Sequence, residues 1–408
     1  MAEQAVPPAA LRIVAPRYGA AVVGGAERLA RMLALSLHGA GWSVEVVTTC
    51  ARDAATWRNE EAPGISDDQG VTVRRFPVRA ARPPRVFAQV SRGFWRLPAG
   101  LRPERAWVAM QGPWSPALVT ALAASGPEPV VPALFLPYLY HPTLLGLPGY
   151  PGPRVLMPAA HDELPLRLGL VERAIAASGA ILYGTDEERE IVEAAHPVAR
   201  ERPSAVGNVG IVAPERVDPV AFRRRVGLGA DEPYLLYGGR VAPGKGMEEL
   251  FAGVGELRAR SPQAPPRLVL TGEAGTVTPP SPAVLPVGRL DEASRWDALA
   301  GAAAVVVPSF HESLSLLALE AWAVGRPVLA NGASPVLRGQ VLRSGGGIAY
   351  RGAAELGLAA ADLISDPDVA AVLGRAGQRY VAATYRWDAV HERLARLIAE
   401  ASGTVPRA

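Results

Sequence analysis

The chain has 408 residues, of which 49% are hydrophobic, with a formal net charge of +3 and one cysteine. This length is enough for two domains of about 150–200 residues, each with its own core. A single cysteine excludes an intramolecular disulfide and a cysteine metal cluster, and no apolar run reaches the roughly 18 residues that a membrane-spanning helix needs.

The N-terminal residues lack a basic segment followed by an apolar one, so we expect no signal peptide. A cytoplasmic location is the simplest expectation.

The first predicted elements are a strand at residues 11–15, a glycine turn, a helix opened by Gly24 and Gly25, and a strand at residues 44–47. The turn lacks both the G-x-G-x-x-G fingerprint of dinucleotide binding and the Lys and Ser/Thr of a P-loop. A glycine turn at a helix N-terminus suits a phosphate or a sugar hydroxyl. The alternative is a tight turn without a ligand.

Residues 74–105 contain nine arginines and one acid, with four aromatic residues among them. This composition fits a surface that meets anionic lipid or an anionic acceptor. The alternative is a solvated, arginine-rich helix and loop. No nucleic-acid-binding motif is present, so we expect no nucleic-acid partner.

Polar residues follow a predicted strand at residues 155–157, where ligands of α/β sheets bind, and His161 is among them. A lone histidine is more often structural than catalytic. After the next strand, at residues 180–183, Thr185 and Glu188 have the spacing of a capping box. A proline-rich segment upstream supplies three candidates to line an acceptor cleft: Tyr138, Tyr140 and His141.

A linker is predicted near residues 207–219, and a strand at residues 234–237 then leads into a loop with glycine at four of the nine positions 238–246. This loop holds Arg240 and Lys245, and Lys245 is the only lysine among 42 basic residues. Backbone approach, a forked guanidinium and a point charge together suit a diphosphate. The alternative is a turn with two solvated cations.

Residues 304–330 form a predicted strand–helix–strand unit with Glu312 at the strand–helix junction and Glu320 in the helix. Two structural alternatives exist: a capping box formed by Ser309 and Glu312, and a solvated helix position for Glu320. Further along, Asp366 followed by proline predicts a helix start rather than a metal ligand, so we expect no metal site.

The Glu–seven residues–Glu spacing resembles the signature of the retaining family-four glycosyltransferases of the GT-B fold. The resemblance implies an α/β fold with two Rossmann-like domains facing across a cleft. Residues 1–207 would form the acceptor-side domain, residues 208–385 the nucleotide-sugar-binding domain, and residues 386–408 a helix that crosses back to the first domain. One departure is Leu314–Ser315, where the family often has Phe–Gly.

The resemblance also implies the site. The catalytic residues would be His161, Arg240, Lys245 and Glu312, and the nucleotide sugar would be bound by Gly24, Gly25, Arg289, Leu290, Ser313, Ser315, Leu316 and Glu320. In this family the second Glu holds the ribose, and the turn at Arg289 and Leu290 lies against the base.

The implied reaction moves a hexose from a nucleotide diphosphate sugar to an acceptor hydroxyl with retention of anomeric configuration, without a metal or other cofactor. The acceptor would be a sugar, a lipid-linked molecule or a small molecule, in polysaccharide, glycolipid or glycoside biosynthesis. Residues 74–105 would allow peripheral contact with the inner membrane face. The alternatives are a phosphorylase or synthase on the same fold, and a non-catalytic sugar-nucleotide-binding subunit.

Overall fold

The computed structural model describes residues 10–124, 130–241, 244–261, 265–272 and 281–403. The chain divides into two compact units: residues 1–209 with 387–408, and residues 210–386. The division falls two residues after the boundary expected from the sequence, and the last segment begins one residue later than expected.

The first unit is built on a mainly parallel sheet. Its described strands are β1 (Ala10–Val14), β2 (Ser43–Thr49), β3 (Gly64–Asp68), β4 (Val71–Phe76), β5 (Ala133–Phe135), β6 (Arg154–Leu156), β7 (Ala180–Tyr183) and β8 (Ser204–Val206). They lie in the order β3-β4-β2-β1-β5-β6-β7-β8. Only the β3–β4 pair among them is antiparallel. The carboxyl ends of β1, β5, β6 and β7 therefore share one edge of the sheet, where the loops carry the polar residues noted above.

Helices cover this sheet. Those described are α1 (Gly25–Gly39), α2 (Pro84–Arg96), α3 (Glu104–Gln111), α4 (Pro116–Ala123), α5 (His141–Gly146), α6 (Gly169–Ala177), α7 (Asp186–Ala195) and, at the C-terminal end, the helix Trp387–Ala401. This last helix packs against β6, β7 and β8. Its close approach requires a glycine, since a Cβ at Gly179 would lie 2.6 Å from the Cβ of Ala401.

The second unit has a parallel sheet. Its described strands are β9 (Tyr234–Gly238), β10 (Arg267–Thr271), β11 (Val284–Gly288), β12 (Ala304–Val307), β13 (Val328–Asn331) and β14 (Gly347–Tyr350). They lie in the order β11-β10-β9-β12-β13-β14. The strand β12 is fully buried, as its uninterrupted apolar sequence predicts for a parallel sheet covered on both faces.

The described helices of the second unit are α8 (Pro219–Val226), α9 (Met247–Arg260), α10 (Glu292–Gly301), α11 (Leu316–Ala323), α12 (Pro335–Ser344), α13 (Gly352–Ser365) and α14 (Pro367–Thr384), and the C-terminal helix Trp387–Ala401 is α15. The helix α14 begins as expected, because the Asp366 carboxylate accepts a hydrogen bond from the amide of Val369 at 3.0 Å. No helix within the described residues is both long and apolar enough to span a bilayer.

Candidate active site

The second unit brings Lys245 and Glu312 together. Their loops follow β9 and β12, which are neighbours in the sheet, so both loops leave the same edge. The Lys245 Nζ lies 3.5 Å from the Glu312 Oε1, and the two side chains are 39% and 21% exposed. A cation and a carboxylate therefore lie together at the edge of the sheet where ligands of parallel sheets bind, and both side chains are accessible to a ligand.

Glycine permits this approach. Gly246 has a φ of +73°, and a Cβ there would lie 2.0 Å from the carbonyl oxygen of Pro308. Any side chain at this position would push the lysine loop away from the loop that carries Glu312. The glycine composition of residues 238–246 therefore has a geometric cause at Gly246: it lets one backbone contact another.

Arg240 lies on the same loop and is exposed. Its carbonyl oxygen accepts a hydrogen bond from the Tyr237 hydroxyl at 2.9 Å. Burial raises the pKa of that hydroxyl, with the negative charge of Glu312 adding to the shift and the positive charge of Arg240 opposing it. Arg240 and Glu312 thus both lie close enough to Tyr237 for their charges to act on it. Loop residues 242–243 lie outside the described part of the chain.

The helix after Glu312 begins later than a capping box at Ser309 would require. The helix α11 starts at Leu316, and the Ser315 hydroxyl caps it by accepting from the amide of Ala318 at 3.3 Å. The capping-box alternative for Ser309 and Glu312 is therefore wrong, because these residues precede the helix in a non-helical segment. Glu312 is left available for a ligand.

Ser315 has a second contact that bears on the expected diphosphate site. Its backbone amide donates to the Gln340 Oε1 at 3.2 Å. This amide is one of those that the family resemblance directs at the diphosphate, together with Ser313 and Leu316. The Ser315 amide can bind the diphosphate only if its hydrogen bond to Gln340 is replaced by one to the ligand.

Glu320 is buried, with 1% of its surface exposed. The solvated alternative for this residue is wrong. Its carboxylate forms an ion pair with the guanidinium of Arg295, on α10. Arg295 also donates to Glu292 at 2.6 Å and lies 4.9 Å from the ring centre of Trp296. Arg295 was not among the residues expected at the site, because it stands 25 residues before Glu320 and belongs to no recognisable motif with it.

Arg289 and Leu290 follow β11, the edge strand of the described sheet. They line a surface pocket of about 460 Å³ together with residues of α8 and the start of α10. Arg225 and Asp291 bring charge of both signs to this pocket. Its lining also includes apolar side chains of β11.

In the first unit, the glycine turn contacts a buried ion pair that no sequence motif predicted. A Cβ at Gly24 would lie 1.9 Å from the Glu27 Oε2. This carboxylate is held by Arg17, whose Nε donates to Glu27 Oε1 at 3.0 Å, and both residues are buried. The helix α1 begins at Gly25, as predicted, so its N-terminal amides lie at this turn.

His161 follows β6 in the first unit. Its Nδ1 lies 3.5 Å from the Glu163 Oε1, and the same oxygen accepts a hydrogen bond from the Tyr138 hydroxyl at 2.6 Å. Tyr138 and His141 are buried, so the expectation that they line an acceptor cleft is wrong. The aromatic ring of Tyr138 packs into the core of the unit, and its hydroxyl is used by Glu163.

Residues 232–366 match the family model described as "Glycosyl transferases group 1". The second unit contains a group 1 glycosyl transferase domain. Its strands β9 and β12, with Arg240, Lys245, Glu312 and Glu320, all fall inside the match. The family expected from the Glu–seven residues–Glu spacing is thereby confirmed for this domain.

Several known glycosyltransferases are similar to a longer part of this chain than the glycosyl transferase domain alone. The chain is 33% identical over 242 residues to a D-inositol 3-phosphate glycosyltransferase of Thermobispora bispora, covering 54% of this chain and 55% of that protein. It is 26% identical over 219 residues to a GDP-mannose-dependent monoacylated alpha-(1-6)-phosphatidylinositol monomannoside mannosyltransferase of Corynebacterium glutamicum, covering 50% and 56%. The chain thus spans about half the length of these relatives.

The fold is shared over a longer stretch. A sucrose-phosphate synthase from Thermosynechococcus elongatus superposes with a TM-score of 0.68 at 19% identity, covering 97% of this chain and 100% of that chain. This likeness confirms the predicted α/β fold class, GT-B, with two Rossmann-like parallel-sheet units.

Proposed function

We propose that this chain is a glycosyltransferase that transfers a hexose from a nucleotide diphosphate sugar to an acceptor hydroxyl with retention of anomeric configuration. The observation that carries the proposal is the Lys245–Glu312 pair, 3.5 Å apart and accessible, inside a group 1 glycosyl transferase domain. No metal or other cofactor is part of the proposed reaction, since the nucleotide sugar is a substrate.

The proposed chemistry is electrostatic. When the bond between sugar and diphosphate breaks, negative charge grows on the departing diphosphate, and preorganised cations and amides stabilise it. Lys245 and Arg240 supply this positive charge. Glu312 faces the donor sugar, and the leaving phosphate takes the proton of the acceptor hydroxyl. His161 is assigned to the donor sugar by the family resemblance.

The names of the relatives suggest the acceptor. One relative is named for D-inositol 3-phosphate and another for a phosphatidylinositol mannoside. We infer an acceptor of the same chemical kind, a polyol hydroxyl on a molecule that carries a phosphate. The proposed donor carries a ribonucleotide, because Glu320 occupies the position that holds the ribose in this family.

Mass spectrometry tests this proposal. The protein is incubated with UDP-glucose, UDP-N-acetylglucosamine, GDP-mannose or ADP-glucose, each with D-inositol 3-phosphate or an inositol phospholipid. We expect one donor to give a product heavier than the acceptor by one sugar residue. No product with any pair, together with no nucleotide release, would contradict the proposal.

Two other functions remain as alternatives on the same fold. A phosphorylase would use inorganic phosphate, and a synthase would use a sugar acceptor. Parallel incubations of each donor with inorganic phosphate and with a free sugar distinguish these two from transfer to a phosphate-bearing polyol. A non-catalytic subunit would bind the nucleotide without turnover. The departure at Leu314–Ser315 favours this second alternative, whereas the Lys245–Glu312 geometry favours catalysis.

We further propose that α2 brings this chain to anionic lipid. Arg85, Arg92 and Arg96 are exposed and recur at helical spacing on one side of α2, with Val86 and Val90 exposed beside them. Arginine next to apolar side chains suits the interface of an anionic membrane. The aromatic residues of this region pack against the core of the first unit. Phe94 is buried and stacks on Trp107 with centroids 5.3 Å apart, and Phe76, Phe87 and Trp95 are partly buried against the same core.

Vesicle co-sedimentation tests the lipid proposal. The wild type should sediment with vesicles containing phosphatidylglycerol but not with pure phosphatidylcholine, and added salt should weaken the binding. A variant with Arg85, Arg92 and Arg96 changed to Gln should stay in solution. Exposed Arg375 and Arg379 of α14, changed in the same way, serve as the control. Equal sedimentation of both variants would contradict the proposal.

A further inference from the structure

Glu188 is a fully buried carboxylate to which the proposed reaction gives no part. Its spacing from Thr185 predicted that it is the last residue of a capping box at the start of α7. That prediction is confirmed, because the Thr185 hydroxyl accepts from the amide of Glu188 at 3.1 Å. In a capping box, the glutamate side chain bonds to the N-cap amide of its own turn. Glu188 does more than this.

The Glu188 carboxylate joins two loops. On its own turn, it accepts from the amide of Gly184 at 2.6 Å. On the loop after the neighbouring strand β6, it accepts from the amide of Ala160 at 2.7 Å. The amides of Ala159 and Thr185 also bond to it. One buried anion therefore fixes the segment that leads directly into His161.

This segment needs to be held. Ala159 has a φ of +50°, in the left-handed region that residues with a side chain rarely adopt. Such a conformation costs free energy and persists only where surrounding contacts enforce it. The bonds from Ala159 and Ala160 to Glu188 are such contacts, and they lie one and two residues before His161.

Burial of the charged form of Glu188 costs free energy. Burial raises the pKa of Glu188 to about 7, although the four backbone amides oppose the shift. A glutamine would have avoided the burial of charge but has one acceptor oxygen where the carboxylate has two. The two oxygens serve different loops: Oε2 bonds to Gly184, and Oε1 bonds to Ala160.

We propose that Glu188 is a positioning residue that sets the direction of His161 by fixing the left-handed turn at Ala159 and Ala160. The proposal rests on the proposed function only in that His161 is taken to contact the donor sugar. It predicts that Glu188 acts on turnover through His161 and not by a contact of its own.

The first test uses Glu188→Gln and does not depend on activity. Hydrogen exchange followed by mass spectrometry should show faster exchange in peptides covering residues 158–163 of this variant. Glu190→Gln, an exposed position on the same helix, is the matched control and should exchange like the wild type. Unchanged exchange at residues 158–163 in Glu188→Gln would overturn the proposal.

The second test is a double-mutant cycle on kcat and on the KM for the donor. A displaced reacting group commonly costs about tenfold or more in rate, so Glu188→Gln should lower kcat by about this factor. In the His161→Ala background the same change should have no further effect. Adding Ala159→Gly to Glu188→Gln should restore part of kcat, because glycine adopts the turn without strain.

The outcomes separate the two proposals. Normal kcat in Glu188→Gln, or equal losses in both backgrounds, would overturn the role of Glu188. If Glu188→Gln does not fold, Glu188→Asp replaces it, since the shorter side chain keeps the charge but cannot reach both loops. Absence of transfer by the wild type with every donor contradicts the proposed function, and the exchange experiment then still decides whether Glu188 fixes the turn.

Discussion

The Nζ of Lys245 lies 3.5 Å from the Oε1 of Glu312. The only lysine of this chain is therefore paired with the first glutamate of the family signature. Exposed ion pairs of this kind contribute only about 0–1 kcal/mol to stability, so Lys245 gives up this contact at little cost. In the proposed function, Lys245 exchanges its contact with Glu312 for one with the donor diphosphate, and the Glu312 carboxylate becomes available to the sugar.

Removal of the lysine charge should affect catalysis without affecting folding. A hydrogen bond to a charged group is worth about 1.5–3 kcal/mol. Lys245→Ala should therefore lower kcat/KM by roughly one to two orders of magnitude. Lys245→Arg keeps the charge and should lose less. Steady-state kinetics with a melting curve for each variant checks this, and full activity in Lys245→Ala would rule out its part in catalysis.

Glu320 should distinguish ribose from deoxyribose. A carboxylate accepts from two neighbouring hydroxyls, and a 2′-deoxyribose lacks one of them. We expect UDP to bind about three- to tenfold more tightly than dUDP, or GDP than dGDP, if half of one charged hydrogen bond survives competition with water. Glu320→Ala should remove the difference. Calorimetry of the matched pairs measures it.

The control for Glu320 lies on α10. Glu292 also bonds to Arg295, at 2.6 Å, but is largely exposed. Glu292→Gln should therefore leave the preference for ribose intact. Equal affinities of the wild type for both nucleotides would mean that Glu320 only serves Arg295 in the fold.

The new glycosidic bond should keep the anomeric configuration of the donor. This expectation comes from the family resemblance and from the absence, in the sequence, of a strong pair of nucleophile and base. The one-bond carbon–proton coupling constant at the anomeric carbon, in an NMR spectrum of the product, decides it for glucose- and mannose-type donors alike. An inverted product would contradict the roles given to Glu312 and Glu320.

Local patterns predicted much of the fold. The strand Ala180–Tyr183 has the bounds that were predicted from its apolar run. The helix caps at Thr185 and Asp366 also form as their spacing in the sequence predicted. Such features depend on residues close in sequence. The hairpin of β3 and β4 was missed because β3, with the sequence GISDD, is mostly exposed and carries no apolar alternation.

Contacts between residues that are far apart in the chain could not be predicted from the sequence. Arg295 and Glu320 are 25 residues apart, and Ala160 and Glu188 are 28 apart. Neither separation is a local spacing, since each pair meets only when neighbouring elements pack together. The motifs thus located Lys245, Glu312 and Glu320, whereas the residues that hold or pair with them required the structure.

Stability should depend on pH through His141. Burial lowers the pKa of His141 to about 4 in the folded protein, from an ordinary value of 6.5. The unfolded chain therefore binds the proton first, and stability that is fully present above pH 6.5 is lost as the pH falls toward 4. At about 1.4 kcal/mol per pKa unit, the loss is on the order of 3 kcal/mol.

Comparison with His141→Leu isolates this effect. Glu188 contributes the opposite slope, since its raised pKa of about 7 makes stability fall as the pH rises from about 4.5 to 7. This contribution of Glu188 is the same in the wild type and in His141→Leu. Urea unfolding from pH 4 to 7 should show the wild type losing stability relative to the variant on acidification, and parallel curves would contradict a neutral, buried His141.

In the proposed function, the Lys245–Glu312 site activates a nucleotide sugar for transfer. The most direct measurement is release of nucleoside diphosphate from UDP-glucose, UDP-N-acetylglucosamine, GDP-mannose and ADP-glucose, with and without an acceptor, by the wild type and by Glu312→Gln. We predict acceptor-dependent release from one donor by the wild type, and at least about tenfold slower release by a normally folded Glu312→Gln. Release at equal rates by both proteins, or from none of the donors, would contradict this role of the Lys245–Glu312 site.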